Sequence, residues 1–389
     1  MNFKMILAIL ISVFICRAEF EWLSTLILVE GPQFDVKTGP DGKIHMITSS
    51  YYQLDENGQI LLTEDIADDW LCDMCFPPAL ATGPDSSVHI LTRHGGNWDD
   101  GHTINYRKRS SDGTWTSPLK ITDPVNRNYV VGVTVLDNNR VFCMHSKQNG
   151  TNVHADILMY EINGSSKQYL GKTSSADWLR IDADYRLDSY GNRLHLFSGS
   201  PWPSGKTYYF STDVTSTTDV PAALSSSKKE HNDGSGRKCI PNVYAWGSGG
   251  TDITYGAEYA VYYNRYLSNG NTLFNSDKKV LDNLGEWHLK SGSSGLGVSD
   301  DGQKVLIVGI KSNGEKPGDG TLVYTFSENG GQTFSAQQAL LDNFDRPITT
   351  SGGEGRIRPK IVWIKERFIV FYDYGTYIGL SIFKDPATE

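Results

Sequence analysis

Cysteine is scarce in this chain: 389 residues carry 5, and Cys16 lies in the apolar N-terminal stretch. So few thiols in a chain of this length rule out a fold held mainly by disulfides. Cys72-Asp73-Met74-Cys75 has CxxC spacing, but no second CxxC or close CxxH follows. That leaves a local disulfide, two free thiols, or a metal pair completed by His231 and Cys239 as readings. A cationic excess is also missing: 36 Lys and Arg against 45 Asp and Glu give a formal charge of −9. This excludes a general nucleic-acid binder.

No stretch reaches the ~18 apolar residues of a membrane span. The longest, Met5 to Cys16, follows Lys4 and ends in Cys16-Arg17-Ala18, the layout of a secretory signal. The expected organisation is therefore a signal peptide over 1–18 and one secreted domain over 19–389, a monomer without membrane association. No P-loop, dinucleotide fingerprint, nucleophile elbow or helix-borne metal motif stands in a suitable setting. No cofactor is expected to be required; a structural calcium or zinc is compatible with such loops, but no residue set locates one.

The chain is rich in 39 Gly, 20 Tyr and 9 Trp and has no long Ala/Leu/Glu/Lys stretch, which favours short strands joined by tight turns. A hairpin recurs along it. Second strands read KIHMITSS from Lys43, SVHILTRH from Ser87, RVFCMHSK from Arg140, RLHLFSGS from Arg193, KVLIVGIK from Lys304 and RFIVFYDY from Arg367. Each follows an apolar strand and a turn, most often rich in Asp, Gly and Asn. A further, blurred copy lies around CIPNVYAWGSGG. Seven units leave roughly fifty residues each, enough for a four-stranded antiparallel blade with a long loop. The sequence thus predicts an all-β, seven-bladed β-propeller. Its last unit supplies strands near 357–364, 367–373 and 376–383, and a strand from Leu23 to Val29 is expected to complete it and close the ring.

The repeat separates structural from functional residues. His45, His89 and His195 share one column of three blades, which indicates packing or hydrogen bonding within the fold. Lys43, Arg140, Arg193 and Arg367 each begin a second strand beside the turn and read the same way. His94 and His145 instead interrupt the pattern near the far ends of their strands.

SENGGQTF at 327–334 resembles the Asp-box turn, with Asn329 in place of the Asp, and SSDGTW at 110–115 is a shortened relative. With the repeat, the chain resembles the bacterial-neuraminidase-repeat (Asp-box) superfamily of propellers. Within it, sialidases would require three arginines on a carboxylate, a Tyr-Glu pair and an acid Asp. Arg180, Arg356, Arg358, Glu258 and Tyr372 are available, but the early F/Y-R-I-P signature is absent, so a sialidase-type exo-hydrolase ranks second. The layout is more similar to the propeller-type ulvan lyases. That resemblance makes His94 the second histidine of the lyase pattern, Tyr129 its first tyrosine and Tyr185 its later one. The first histidine falls on Met74 and the arginine on His145, two departures that leave a non-catalytic lectin as the third reading.

The resemblance implies β-elimination on an anionic, uronic-acid-containing polysaccharide. That reaction needs a base for the proton beside the carboxylate, a donor or cation for the developing enolate, and an acid for the leaving oxygen. His94 or Tyr129 would serve as base and acid, His145 with Arg127 or Arg93 as carboxylate partner, and Tyr185 as an auxiliary group. An acidic protein acting on an anionic polymer must gather its positive charge locally. Arg93, Arg127, Lys147, Arg180, Arg356 and Arg358 lie near strand ends and are the candidates. Trp98, Trp178, Trp202 and Trp246 either stack on sugar rings or cap the core.

Overall fold

The computed structural model describes residues 21–30, 33–66, 77–94, 103–122, 128–148, 155–173, 184–199, 207–215, 217–231, 238–247, 250–257, 259–285, 294–312, 320–350, 359–374 and 377–384. They form seven antiparallel sheets arranged as the blades of a β-propeller. Strand β1 (Glu21–Glu30) precedes the first blade, which comprises β2 (Asp35–Thr38), β3 (Ile44–Ile47), β4 (Ser50–Leu54) and β5 (Ile60–Asp65). The second holds β6 (Ala79–Thr82), β7 (Val88–His94), β8 (Thr103–Arg109) and β9 (Leu119–Lys120). The third holds β10 (Asn128–Val135), β11 (Val141–Gln148), β12 (Ala155–Asn163) and β13 (Ser166–Thr173). The fourth is β14 (Asp184–Tyr190), β15 (Arg193–Gly199), β16 (Thr207–Asp213) and β17 (Lys229–His231), with a short helix α1 (Val220–Ser226) between the last two.

The fifth blade is β18 (Lys238–Trp246), β19 (Gly250–Ala257), β20 (Ala260–Tyr266) and β21 (Lys278–Leu281). The sixth is β22 (Ser294–Val298), β23 (Val305–Ser312), β24 (Gly320–Ser327) and β25 (Gln338–Ala339), with β26 (Thr349–Thr350) also paired to β24. The seventh joins β27 (Lys360–Ile364), β28 (Arg367–Tyr374) and β29 (Tyr377–Lys384) to β1. Glu21 pairs with Lys384 and Glu30 with Tyr377, so the N-terminal strand takes the outer place of the last blade. The first strands of consecutive blades pack beside one another, and β27 packs beside β2.

Side-chain alternation turns each blade into a two-faced core element. Leu91 of the second blade joins Val141 and Cys143 of the third in one apolar cluster. Phe197 of the fourth likewise meets Ile253 and Tyr255 of the fifth. The tight turns follow from their residues: Gly42 takes φ 71°, open to glycine at no steric cost, while the Asp41 carboxylate accepts the Lys43 N–H at 3.2 Å.

The repeated histidines are structural, as the column pattern predicts. His45 Nδ1 meets the Tyr51 hydroxyl, His89 the Tyr106 hydroxyl and His195 the Tyr209 hydroxyl, each at 2.6 Å. Each tyrosine lies on the third strand, two residues before the direct partner of its histidine. Arg140 is structural too, with Nε 2.7 Å from Glu161 and its guanidinium over Phe142.

The SENGGQTF turn is built around two short side chains. Ser327 Oγ accepts the Gly331 N–H at 2.9 Å, and Asn329 Oδ1 accepts the Thr333 N–H at 2.9 Å. The amide carbonyl of Asn329 thus supplies the acceptor that an aspartate would, and its Nδ2 adds a bond to Thr333 Oγ1 at 2.8 Å. Phe334 then packs edge-on against Tyr263 of the fifth blade. In the SSDGTW turn, Trp115 reaches back to the first blade, donating to Glu64 at 3.0 Å and meeting Tyr51 edge-on.

Candidate functional site

In every blade the first strand begins, and the second ends, at the same rim of the ring. Three of the four proposed catalytic residues are located there by backbone. His94 closes β7 opposite Thr103. Tyr129 lies in an irregularity of β10 between Asn128, which faces Lys147, and Val131, which faces His145. Tyr185 stands near the start of β14 opposite Ser198. The fourth, His145, is on β11 beside Val131 and Leu158. The set spans the second to fourth blades. Arg127, Arg180, Arg356 and Arg358, like Met74, Cys72, Cys75, Trp98, Trp178 and Trp202, lie outside the described residues.

Alternation aims two of these side chains at one another's face. Arg93 shares its side of β7 with Leu91, and His145 shares its side of β11 with Val141 and Cys143. Those three apolar residues belong to the same cluster between the second and third blades. Arg93 and His145 therefore confront the same interface, Arg93 at 7% exposure and His145 at 0%. His145 stacks on Tyr160, ring centroids 5.8 Å apart. Neither ring nitrogen of His145 has a side-chain hydrogen-bond partner among the described residues, and the Ser146 backbone lies beside the ring. Burial pushes its pKa down to about 4, with the Ser146 backbone working against it and the nearby Lys147 and Lys167 adding to it. The imidazole is therefore uncharged at neutral pH and offers an N–H donor rather than a positive charge.

Below the rim runs a central channel, a cavity of about 240 Å³ lined by residues of all seven first strands. Its charged groups come in two tiers. Asp35, Arg186, Asn242 and Lys360 pair with Ile47, Phe197, Thr254 and Phe371, equivalent positions of the repeat, and so share the upper tier. Ala79, Gly132 and Gly295 fill that tier on the remaining strands. Lys37, Asp188 and Tyr244 pair with His45, His195 and Asp252 in the tier beneath.

Lys360 Nζ lies 2.6 Å from Asp35, whose other oxygen accepts the Leu80 N–H at 2.9 Å. Lys37 crosses from the first blade to Asp188 of the fourth at 3.4 Å, and Asp188 accepts the Ala245 N–H at 2.9 Å. Burial alone would raise Asp35, but Lys360, Lys37 and the Leu80 amide hold it below the usual carboxylate range. Lys37 is raised: Asp188 and Asp35 outweigh its burial. Lys360 is lowered, because burial and the repulsion of Arg186 and Lys37 exceed the attraction of Asp35. These channel charges were not singled out in the sequence. The available signal was charge inside otherwise apolar first strands, in FDVKT, YRLDS and PKIVW.

Two sequence readings resolve into structural roles. His231 bonds Asp277 through Nδ1 at 3.0 Å and the Tyr266 hydroxyl through Nε2 at 2.5 Å, a tie between the fourth and fifth blades. Among the described residues no group of three or more His, Cys, Asp or Glu is placed to hold a metal ion. Trp246 is a packing residue: its indole donates to Asp252 at 2.5 Å and lies under the Arg265 guanidinium.

No model of a known protein family matches the chain, and neither does any curated protein sequence. Solved structures do resemble it. An ulvan lyase of polysaccharide lyase family PL25 superposes with TM-score 0.53 at 11% identity, covering 92% of this chain and 95% of its own. The same type of enzyme bound to -[GlcA(1-4)Rha3S]- gives TM-score 0.55 at 12% identity, covering 93% and 94%. The polysaccharide lyase Uly1 gives 0.51 at 9% identity, covering 92% and 91%. At such identities the likeness is one of fold. No helix among the described residues is long and apolar enough to cross a membrane.

Proposed function

We propose that the protein is a secreted polysaccharide lyase that cleaves an anionic, uronic-acid-containing, ulvan-like polysaccharide by β-elimination, without a cofactor. The observation that carries this reading is His145: a buried, uncharged imidazole, neither nitrogen with a described side-chain partner, on the interface that Arg93 also faces. A dry site strengthens every charge interaction made inside it. There an imidazole N–H and a guanidinium would stabilise the dianionic enolate formed once the proton beside the carboxylate is removed. His94 and Tyr129 would divide the base and acid roles, with Tyr185 holding the neighbouring sugar. Lys147, Arg127, Arg180, Arg356 and Arg358 would hold the polymer's other anionic groups. The likeness to two ulvan lyase structures, one of them with a bound glucuronate-rhamnose sulfate fragment, supports the substrate class.

The test is ultraviolet absorbance of the unsaturated uronate on incubation with ulvan, alginate, pectin, heparan and chondroitin. His94→Ala and Tyr129→Phe are run in parallel. A rise on one polymer that both substitutions abolish is expected. Flat traces on all polymers, with release of reducing sugar, would overturn the lyase in favour of a hydrolase; binding without either would leave a lectin.

A further inference from the structure

We propose that Asn163 is an N-glycosylation site, the acceptor of one oligosaccharide on the face of the propeller opposite the candidate functional site. Asn163-Gly164-Ser165 is an acceptor triplet, an asparagine with a hydroxyl two residues on and no proline between them. Such a triplet is usable only where the folded chain can carry a bulky, hydrated sugar at its surface. The turn between β12 and β13 meets that condition. Asn163 pairs with Ser166, so Gly164 and Ser165 form a two-residue hairpin loop, and Gly164 at φ 60° supplies the conformation such a loop needs at its first position. Asn163 and the residues after it, as far as Tyr169, are exposed.

The backbone of Asn163 is held in place, its carbonyl accepting the Ser166 hydroxyl at 2.9 Å. Its side-chain amide and the Ser165 hydroxyl make no hydrogen bond among the described residues, so a sugar on Nδ2 displaces nothing. A methyl group on Gly164 would meet no described atom within 4 Å, which leaves the space over the turn open. Position adds a second argument. β11 and β12 pair Gln148 with Ala155 at the rim and Val141 with Ile162 at the far end. Asn163 therefore lies beyond Leu158, the partner of His145, by roughly 17 Å at ~3.4 Å per residue. A glycan there leaves the rim clear for a polymer. In the transfer, Nδ2 bonds to the anomeric carbon of a lipid-diphosphate-linked oligosaccharide. The bond from that carbon to the diphosphate oxygen breaks, the oxygen keeps the electron pair, and Nδ2 gives one proton to a base of the transferase. The inference rests on secretion as proposed above, since only an exported chain meets that donor. The chain's other acceptor triplet, Asn149-Gly150-Thr151, lies outside the described residues.

Peptide mapping of the full chain tests this, with the chain expressed in a glycosylating eukaryotic host once on its own N-terminal segment and once behind a borrowed secretion leader. Peptide N-glycosidase in heavy-oxygen water labels each asparagine from which it removes a glycan, and the label separates this from spontaneous deamidation at Asn-Gly. Label at Asn163 in most of the secreted chains is expected. Asn163→Gln and Ser165→Ala should both abolish it, while Ser165→Thr should keep it. Both positions are exposed, and Ser165→Ala leaves the asparagine in place, so its loss of label reads the triplet rather than the fold. Label behind the borrowed leader without export on the chain's own segment would keep the acceptor site and remove the secretion reading. Secreted chain without label at Asn163, or label that persists in Ser165→Ala, would overturn the proposal.

Discussion

His195 Nδ1 lies 2.6 Å from the Tyr209 hydroxyl of the adjacent strand, and Thr251 of the following blade approaches the same nitrogen at 3.0 Å. The contact binds strand to strand and blade to blade at one atom. Tyr209→Phe removes a buried hydroxyl and leaves the imidazole with fewer partners, a loss of about 1–2 kcal/mol. Urea unfolding should show a lower midpoint with an unchanged slope. An unchanged midpoint would mean that Thr251 alone satisfies the ring.

The same histidines set the response to acid. Burial lowers His45, with Asp41 working against it, and it drives His89 and His195 down to about 3, so these last two stay neutral in the folded chain far into the acid range. The unfolded chain takes up protons near the ordinary value of ~6.5, before the folded one does. Stability is then highest above that pH and falls as pH drops toward 3, by about 1.4 kcal/mol per unit for each of His89 and His195. Denaturant midpoints measured between pH 7 and pH 4 should decline steadily. Replacing His89 by Phe should flatten the decline, and a parallel decline in that variant would sink the assignment.

The fifth blade solves the same packing position differently. Asp252 occupies the histidine column, and it bonds the Tyr263 hydroxyl, Arg265 at 3.0 Å and Trp246. Burial raises the Asp252 pKa, with Arg265 working against it. Asp252→Ala would strand a guanidinium at 4% exposure, a cost of about 3–5 kcal/mol. The double variant Asp252→Leu with Arg265→Met should recover most of it, because paired apolar replacements remove both buried charges. Thermal unfolding of the two proteins gives the comparison.

This substitution also explains what the sequence conceals. Six hairpins are legible because a turn and a basic or polar opening residue recur together. The fifth blade opens β19 on Gly250-Thr251-Asp252, without the basic residue and without the histidine, so its copy around CIPNVYAWGSGG is blurred in the sequence and its strand pairing makes it plain. The rim residues were legible as interruptions of a repeat. The channel was not: Lys37 meets Asp188 across 151 residues and Lys360 meets Asp35 across 325. Alternation along a strand tells which residues share a face but not which distant strands confront it. Closing the ring makes those pairs.

His145 is where stability and activity should part most sharply. Its ring fills space against Tyr160 at 0% exposure, yet its nitrogens have no side-chain partner among the described residues. A polar group buried that way contributes little to folding beyond its volume, and an apolar ring of similar shape is tolerated or favoured there. His145→Phe should therefore unfold within about 1.5 kcal/mol of the wild type. His145→Ala, which empties the volume, should cost about 2–4 kcal/mol. Both should lose the ultraviolet product of elimination. A Phe variant that is stable and inactive would show that the imidazole is kept for chemistry. One that is stable and fully active would remove His145 from the proposed machinery, and one that unfolds would show that its nitrogens hold the fold together after all.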